Sequence, residues 1–212
     1  MKFTCVIGSY NPNREWLGRA IASACGLFDE IILTDDGSKI PIDWDYRFYG
    51  DIKKYRHKDN MGLWGARNTA IKNATGDIIC PLDDDDYFNR DGVVRLKKFI
   101  NENPEGDIWH FLLQEFGELS DTIGYRANPK KIPEYNSING VSWFRRAVWR
   151  ELGGYKRMRA EDWNFWVRCF EAKKKFIYFP EAVYNYNVRK DSHSRTWGVS
   201  AEEIRKEVFD NL

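Results

Sequence analysis

Four consecutive aspartates, Asp83–Asp86, are the residues of this chain whose type and spacing point most directly to chemistry. They follow the apolar run 77–82, which is typical of a buried strand. Adjacent carboxylates raise one another's pKa unless a positive group neutralises them. A hard divalent cation such as Mg²⁺ or Mn²⁺ prefers oxygen ligands and often completes its shell with substrate phosphates. The run therefore predicts a metal–phosphate site, with a solvated acidic loop as the alternative.

Two other apolar runs also end in polar loops. The run 3–7 leads into Gly8-Ser9-Tyr10-Asn11, and the run 30–34 leads into Asp35-Asp36-Gly37-Ser38. Ligands of open α/β sheets lie beyond the carboxyl ends of the strands, so we expect the three loops to converge on one crevice. Asp36 could accept a hydrogen bond there from a base or ribose, although Asp-Gly is equally a turn signal.

The spacing of apolar residues predicts the elements that must position these loops. Helical periodicity covers 16–24 and 63–74, between the strands, and a weaker strand candidate lies around Tyr55. Alternating strands and helices predict a parallel sheet with helices on its faces. In the second half we expect helices at 93–100, 144–152, 162–172 and 201–212, strands at 107–116, 175–180 and 182–186, and a long mobile loop at 117–137.

In this order along the chain, the motifs resemble those of the family 2 glycosyltransferases, which use nucleotide-sugars. The resemblance covers about residues 3–196. It implies an α/β chain of GT-A fold, with a single, mostly parallel Rossmann-like sheet flanked by helices. It further implies one domain, with a nucleotide-sugar-binding half at about 1–90 and a smaller acceptor-binding half at about 91–212.

In the first half, the resemblance implies a nucleotide site. Ser9 and Tyr10 lie in the segment similar to the family's first nucleotide loop. Asp36 matches the residue that contacts the base, and a carboxylate facing a ring N–H suits uracil best. Arg67, within Ala66-Arg67-Asn68, matches an arginine near the nucleotide. The donor implied is therefore a nucleoside-diphosphate sugar, and a UDP-sugar is favoured.

The aspartate run is similar to the family's DxD region. By resemblance, Asp85 is the ligand of Mn²⁺ or Mg²⁺, while Asp83 and Asp84 contact the ribose, the sugar or the water molecules of the metal. The sequence departs from the family in its late loop, where Arg189 stands at the place of a metal-binding histidine. Either His193 substitutes as a ligand, or the late-loop cations Arg189, Lys190 and Arg195 clamp the diphosphate.

In the second half, Gly153-Gly154-Tyr155 followed by Ala160-Glu161-Asp162 resembles the family's ED motif. The resemblance implies that Asp162 is the general base of an inverting transfer, with Glu161 beside it on the acceptor side. Without the surrounding match, the two acidic residues would be read as favourable charges at a helix N-terminus.

Nine tryptophans are the most unusual feature of the composition, and four of them lie between 143 and 166. Aromatic rings stack on sugar rings, but they also fill helix cores. We expect Trp143 and Trp163, which flank motif residues, to line the acceptor site. We expect Trp149 and Trp166 to be core residues.

Composition bounds the remaining classes. The chain has 212 residues, a net charge of +1 and 16% aromatic residues, so disorder and bulk binding of nucleic acid are disfavoured. No apolar run is long enough for a transmembrane helix, and the N-terminus lacks the pattern of a signal peptide. The four cysteines show no paired spacing. We expect a cytoplasmic protein, or one peripheral to a membrane.

The predicted function is transfer of a sugar to a hydroxyl acceptor, such as a glycan or a lipid-linked sugar. Three alternatives stay open at this point. The same acidic loop would serve a metal-dependent phosphohydrolase that cleaves a nucleotide-sugar with an activated water molecule. The acceptor could be a nucleic acid or a protein. A nucleotide-binding module without activity is disfavoured because Asp36, Asp85 and Asp162 occur together.

Overall fold

The structure, a computed structural model, describes residues 1–43, 51–118, 127–190 and 198–212. Within them, eight strands form one sheet: β1 (Phe3–Ser9), β2 (Glu30–Asp35), β3 (Ile52–Arg56), β4 (Ile78–Asp83), β5 (Tyr87–Phe88), β6 (Ile108–Gly117), β7 (Trp143–Arg145) and β8 (Phe176–Val188). The helices are α1 (Arg14–Ala24), α2 (Leu63–Asn73), α3 (Arg90–Glu102), α4 (Arg146–Glu151), α5 (Glu161–Glu171) and α6 (Ala201–Asp210), with a 3-10 turn at Pro129–Lys131.

The strand order across the sheet is β3-β2-β1-β4-β7-β6-β8-β5. Strands β3, β2, β1 and β4 are mutually parallel, and β8 is parallel to β6. The short strand β7 lies between β4 and β6 and is antiparallel to both. The predicted α/β class with a mostly parallel sheet is therefore confirmed.

The core consists of two apolar layers, one on each face of this sheet. Alternate residues of β1 serve the two layers: Phe3, Cys5 and Ile7 pack on the side of α1 and α3, while Val6 packs on the side of α2, α4 and α5. Every residue of β1 is buried, as expected for a central strand covered by helices on both faces.

The sheet register brings the predicted loops to one edge. Ser9 pairs with Asp35 and Gly8 pairs with Asp83, so β1, β2 and β4 end level with one another. Because β7 is antiparallel to both β4 and β6, strand β8 also ends at this edge, at Val188. The convergence expected from the three polar loops is confirmed.

Several predicted boundaries differ from the structure. The segment 144–152 was expected to be one helix, but it starts with β7, whose short run is extended because it pairs with β4 and β6. The separate strands expected at 175–180 and 182–186 form one strand, β8, with an irregular register near Leu112. Residues 119–126 of the predicted loop lie outside the described residues. In the part of the chain that is described, no helix has both the length and the apolar character needed to cross a membrane.

Candidate active site

We call the space bordered by Ser9, Asp36, Asp83–Asp86 and Arg189 the strand-end crevice. At this crevice, Asp36 anchors the start of α2. Its carboxylate accepts hydrogen bonds from the backbone N–H of Met61 at 3.0 Å and of Gly62 at 2.7 Å. Gly62 has φ of +90°, a conformation that residues with a Cβ rarely adopt. Asp36 thus holds the turn before α2, and its predicted contact with a base stays a prediction.

His57 extends this anchor and was not found by the sequence analysis. Its Nδ1 lies 2.6 Å from Asp36 Oδ1, and its Nε2 lies 2.7 Å from Thr69 Oγ1 on α2. His57 directly follows β3, so its position at the end of a predicted strand was the available signal. The ring ties the ends of β2 and β3 to the second turn of α2.

Arg67 connects the two halves of the site. Its guanidinium is buried and lies 2.7 Å from Asp83 Oδ1 and 3.2 Å from Glu161 Oε1. Burial opposes the charge, but the neighbouring Asp83 carboxylate raises the pKa of Arg67. Burial also raises the pKa of Glu161 to about 8, even though Arg67 acts in the opposite direction. The predicted nucleotide arginine therefore joins the aspartate run to the predicted ED motif.

All four aspartates in the run have partners within the fold. Asp83 pairs with Arg67, and Asp84 Oδ2 accepts a hydrogen bond from the Ser9 hydroxyl at 2.5 Å. Asp86 is fully buried and accepts from the backbone N–H of Asn187 at 2.6 Å. Burial raises the pKa of Asp84 to about 7 and raises the pKa of Asp86 well above its ordinary value.

The fourth aspartate, Asp85, pairs with an arginine. Arg189 Nη2 lies 2.8 Å from Asp85 Oδ2, and the guanidinium carbon of Arg189 lies 4.8 Å from the centre of the Trp16 ring. Burial raises the pKa of Asp85, and Arg189 opposes that shift. Both residues were predicted to act at the donor site, but nothing in the sequence indicates that they form an ion pair.

This arrangement does not fit the predicted metal site. A divalent ion on Asp85 would have to share that carboxylate with the Arg189 guanidinium, and both groups are positive. Among the described residues, no group of three His, Cys, Asp or Glu side chains is placed to hold a metal ion. His193, the other predicted ligand, lies outside the described residues.

Asp162 lies in the first turn of α5, next to Glu161. Its Oδ1 accepts from the backbone N–H of Trp163 at 2.8 Å, and its Oδ2 accepts from Asn136 Nδ2 at 3.1 Å. A Cβ atom on Gly140 would lie 2.7 Å from Asp162 Oδ2, so a glycine there leaves room for the carboxylate. Asn136 was missed in the sequence, where nothing marks it as a partner of Asp162.

The prediction that Trp143 and Trp163 line the acceptor site needs correction. Trp143 is fully buried (0% exposed) and contacts the rings of Phe3, Phe28, Phe88 and Phe111, so it belongs to the core. Strand β7 turns its side chain inward, away from the surface.

Trp163 is also largely buried. Its indole N–H donates to the carbonyl of Ile132 at 2.8 Å, and its ring packs on Phe209 of α6. Trp166 is a core residue as predicted, whereas Trp149 is only half-buried and donates to Asn68. Tyr10, predicted to lie in the nucleotide loop, is 45% exposed at the rim of the strand-end crevice.

Comparison with known proteins gives a family match over most of the chain. The model described as glycosyl transferase family 2 matches residues 4–173. The chain is 26% identical over 227 residues to the glycosyltransferase GlyA of Streptococcus pneumoniae, covering 92% of this chain and 32% of GlyA. It is 25% identical over 229 residues to an uncharacterized glycosyltransferase of Haemophilus influenzae, covering 99% of this chain and 84% of that protein.

Solved structures share the fold. The 1–349 portion of S. aureus TarS in complex with UDP-GlcNAc superposes with a TM-score of 0.79 at 21% identity, covering 98% of this chain and 64% of that one. The same portion in complex with UDP gives a TM-score of 0.73 at 20% identity, with 90% and 61% covered. The chain thus spans about a third of GlyA and under two thirds of the TarS portion, and the shared fold is GT-A.

Proposed function

This chain belongs to glycosyl transferase family 2, a family of enzymes that transfer glycosyl groups, and we propose that it moves a sugar from a UDP-sugar to a hydroxyl acceptor with inversion at the anomeric carbon. The observation that carries the proposal is the Arg67 bridge. One buried guanidinium contacts Asp83 in the aspartate run and Glu161, the neighbour of Asp162. A donor bound at the strand ends would therefore lie beside the carboxylate that the family resemblance assigns as the base.

The proposed reaction is a single in-line displacement at the anomeric carbon. The acceptor oxygen forms a bond to the anomeric carbon while the bond from that carbon to the diphosphate oxygen breaks. Asp162 takes the proton of the acceptor hydroxyl as attack proceeds, and the electron pair of the broken bond leaves with the nucleoside diphosphate. Asn136 and the N–H of Trp163 hold the Asp162 carboxylate in one orientation for this step.

Uridine as the nucleoside is supported by the comparison with solved structures. S. aureus TarS, which shares the fold, has been solved with UDP-GlcNAc and with UDP. Asp36 directly follows β2, and its N–H donates to the carbonyl of Ser9 at 2.8 Å. Its carboxylate is buried and hydrogen-bonded within the fold, so its contact with a base stays a prediction. The acceptor stays a prediction, and a glycan or a lipid-linked sugar is expected. The cytoplasmic or membrane-peripheral location also stays a prediction.

The test combines donor binding with product analysis. The chain is incubated with a panel of UDP-sugars and hydroxyl acceptors, and products are identified by mass spectrometry. Sugar attached to an acceptor supports transfer. A sugar phosphate released together with the nucleoside monophosphate supports the phosphohydrolase, because that enzyme cleaves the diphosphate and leaves the bond at the anomeric carbon intact.

The base is tested with Asp162→Asn. We expect transfer to fall by about 10²–10⁴-fold while UDP affinity stays within about twofold, because the base acts on the acceptor and not on the nucleotide. Asp210→Asn, an exposed aspartate at the end of α6, is the matched control. Transfer by Asp162→Asn at close to the wild-type rate would show that the base is another group.

A further inference from the structure

The pairing of Asp85 with Arg189 differs in kind from the pairing of the other three aspartates. Asp84 and Asp86 accept hydrogen bonds from neutral groups, and Asp83 pairs with Arg67, which is buried between the two halves of the site. Arg189 instead lies at the surface of the strand-end crevice, where its side chain is 25% exposed and that of Asp85 is 20% exposed. A fixed positive charge therefore borders the space in which a ligand would bind.

The fold holds Arg189 in this position from several sides. It directly follows β8, which is paired with β6 up to its last residue, Val188, and with β5 at Tyr184 and Asn185. Asn187, two residues before Arg189, is hydrogen-bonded to the aspartate run. It donates through its backbone N–H to Asp86 and through its side chain to the carbonyl of Asp85. The Trp16 ring on α1 supports the guanidinium through a cation–π contact.

A guanidinium in this place can do the electrostatic work usually given to a divalent ion. Its planar set of donors matches the oxygens of a phosphate. The ion pair with Asp85 fixes the orientation of the guanidinium, and the Asp85 carboxylate offsets part of its charge. Charge that develops on a departing diphosphate would be stabilised there without a metal.

We propose that Arg189, oriented by Asp85 and Trp16, is the cation that binds the diphosphate of the donor, so that donor binding by this chain does not require a divalent ion. The inference rests on the proposed function, because it presumes a nucleoside diphosphate in the strand-end crevice. It separates this chain from the metal-dependent DxD site that the sequence resemblance predicts.

The experiment measures the affinity of UDP, GDP and dTDP by isothermal titration calorimetry, in EDTA and in millimolar Mn²⁺. For the wild-type chain, we expect the Kd of the best nucleotide to differ by less than about threefold between the two conditions. We expect Arg189→Ala to bind that nucleotide at least about tenfold more weakly in EDTA, since a charge-assisted contact is lost. Arg189→Lys should fall between the two, because it keeps the charge and loses the planar donors.

Two further variants sharpen the test. Arg95→Ala removes another arginine–carboxylate pair, with Glu181, at an exposed site on α3, and its nucleotide affinity should match the wild type. Arg189→His frees Asp85 and supplies a metal ligand, so Mn²⁺ should strengthen its nucleotide binding by at least about tenfold. Thermal melting of each variant shows whether the fold is intact.

Two results would overturn the inference while leaving the proposed function in place. One is nucleotide binding by the wild type that is lost in EDTA and restored by Mn²⁺. The other is a folded Arg189→Ala that binds the nucleotide in EDTA as tightly as the wild type. Absence of binding of all three nucleotides in both conditions would instead refute the proposed donor site, and the role of Arg189 with it.

Discussion

Replacing Glu161 by glutamine should stabilise the protein, and the gain should grow with pH. Glu161 is buried beside Arg67, and burial raises its pKa from an ordinary value near 4.5 to about 8. In the folded protein the group therefore carries a proton at neutral pH, whereas in the unfolded chain it is ionised. Glutamine has nearly the shape of the protonated acid and binds no proton in either state, so it removes this difference.

The magnitude follows from the linkage between proton binding and folding. Between pH 4.5 and 8 the folded chain binds one more proton at Glu161 than the unfolded chain does, so stability falls as pH rises. The slope is about 1.4 kcal/mol for each pH unit. Between pH 5.5 and 7.5 the stability of Glu161→Gln relative to the wild type should increase by about 2–3 kcal/mol. Titrating groups that do not interact with Glu161 contribute equally to both proteins and cancel in the comparison.

The assay is urea unfolding of both proteins at several pH values across this window. Glu171→Gln, at the exposed end of the same helix, is the control, and its stability relative to the wild type should not change with pH. The reasoning is refuted if Glu161→Gln is less stable than the wild type by about 3–5 kcal/mol at every pH, because that is the cost of breaking a buried ion pair. Glu161 would then be ionised and paired with Arg67.

Two other predictions concern Asn136 and Trp143, whose contacts are seen only in the folded structure. Asn136→Ala removes the side-chain donor to Asp162. We therefore expect kcat to fall by about tenfold while the Kd of UDP stays the same. A change in UDP affinity with unchanged kcat would contradict a role of Asn136 in orienting the base. Trp143→Ala empties a fully buried site among four aromatic rings, so urea unfolding should show a loss of about 3–5 kcal/mol; unchanged stability with a raised acceptor KM would restore Trp143 to the acceptor site.

The class of fold and the place of the site could be predicted because both depend on local patterns. Apolar runs that end in polar loops predict parallel strands, and parallel strands end at the same edge of a sheet. Ser9, Asp36 and Asp83 lie together for this reason, and their neighbours in sequence were enough to show it. The motif order likewise indicated the family, which the match over residues 4–173 confirms.

The partners of the charged groups could not be predicted in the same way. Arg67 contacts Glu161 across 94 positions of sequence, and Arg189 reaches Asp85 only because β8 ends at the same edge of the sheet as β4. Such contacts depend on which strands become neighbours, and no local pattern specifies that choice. The prediction of a metal on Asp85 therefore took no account of Arg189, because the sequence does not show that the two residues form an ion pair.

The three-residue strand β7 shows the same limit for the core. Its residues fit the start of a helix, yet they are extended because they pair with β4 and β6, and this pairing turns Trp143 inward. Local apolar patterns thus determined that the chain folds as a sheet with polar strand ends. Tertiary pairing decided which charges neutralise one another and which aromatic rings are buried, because those depend on contacts between segments distant in the chain.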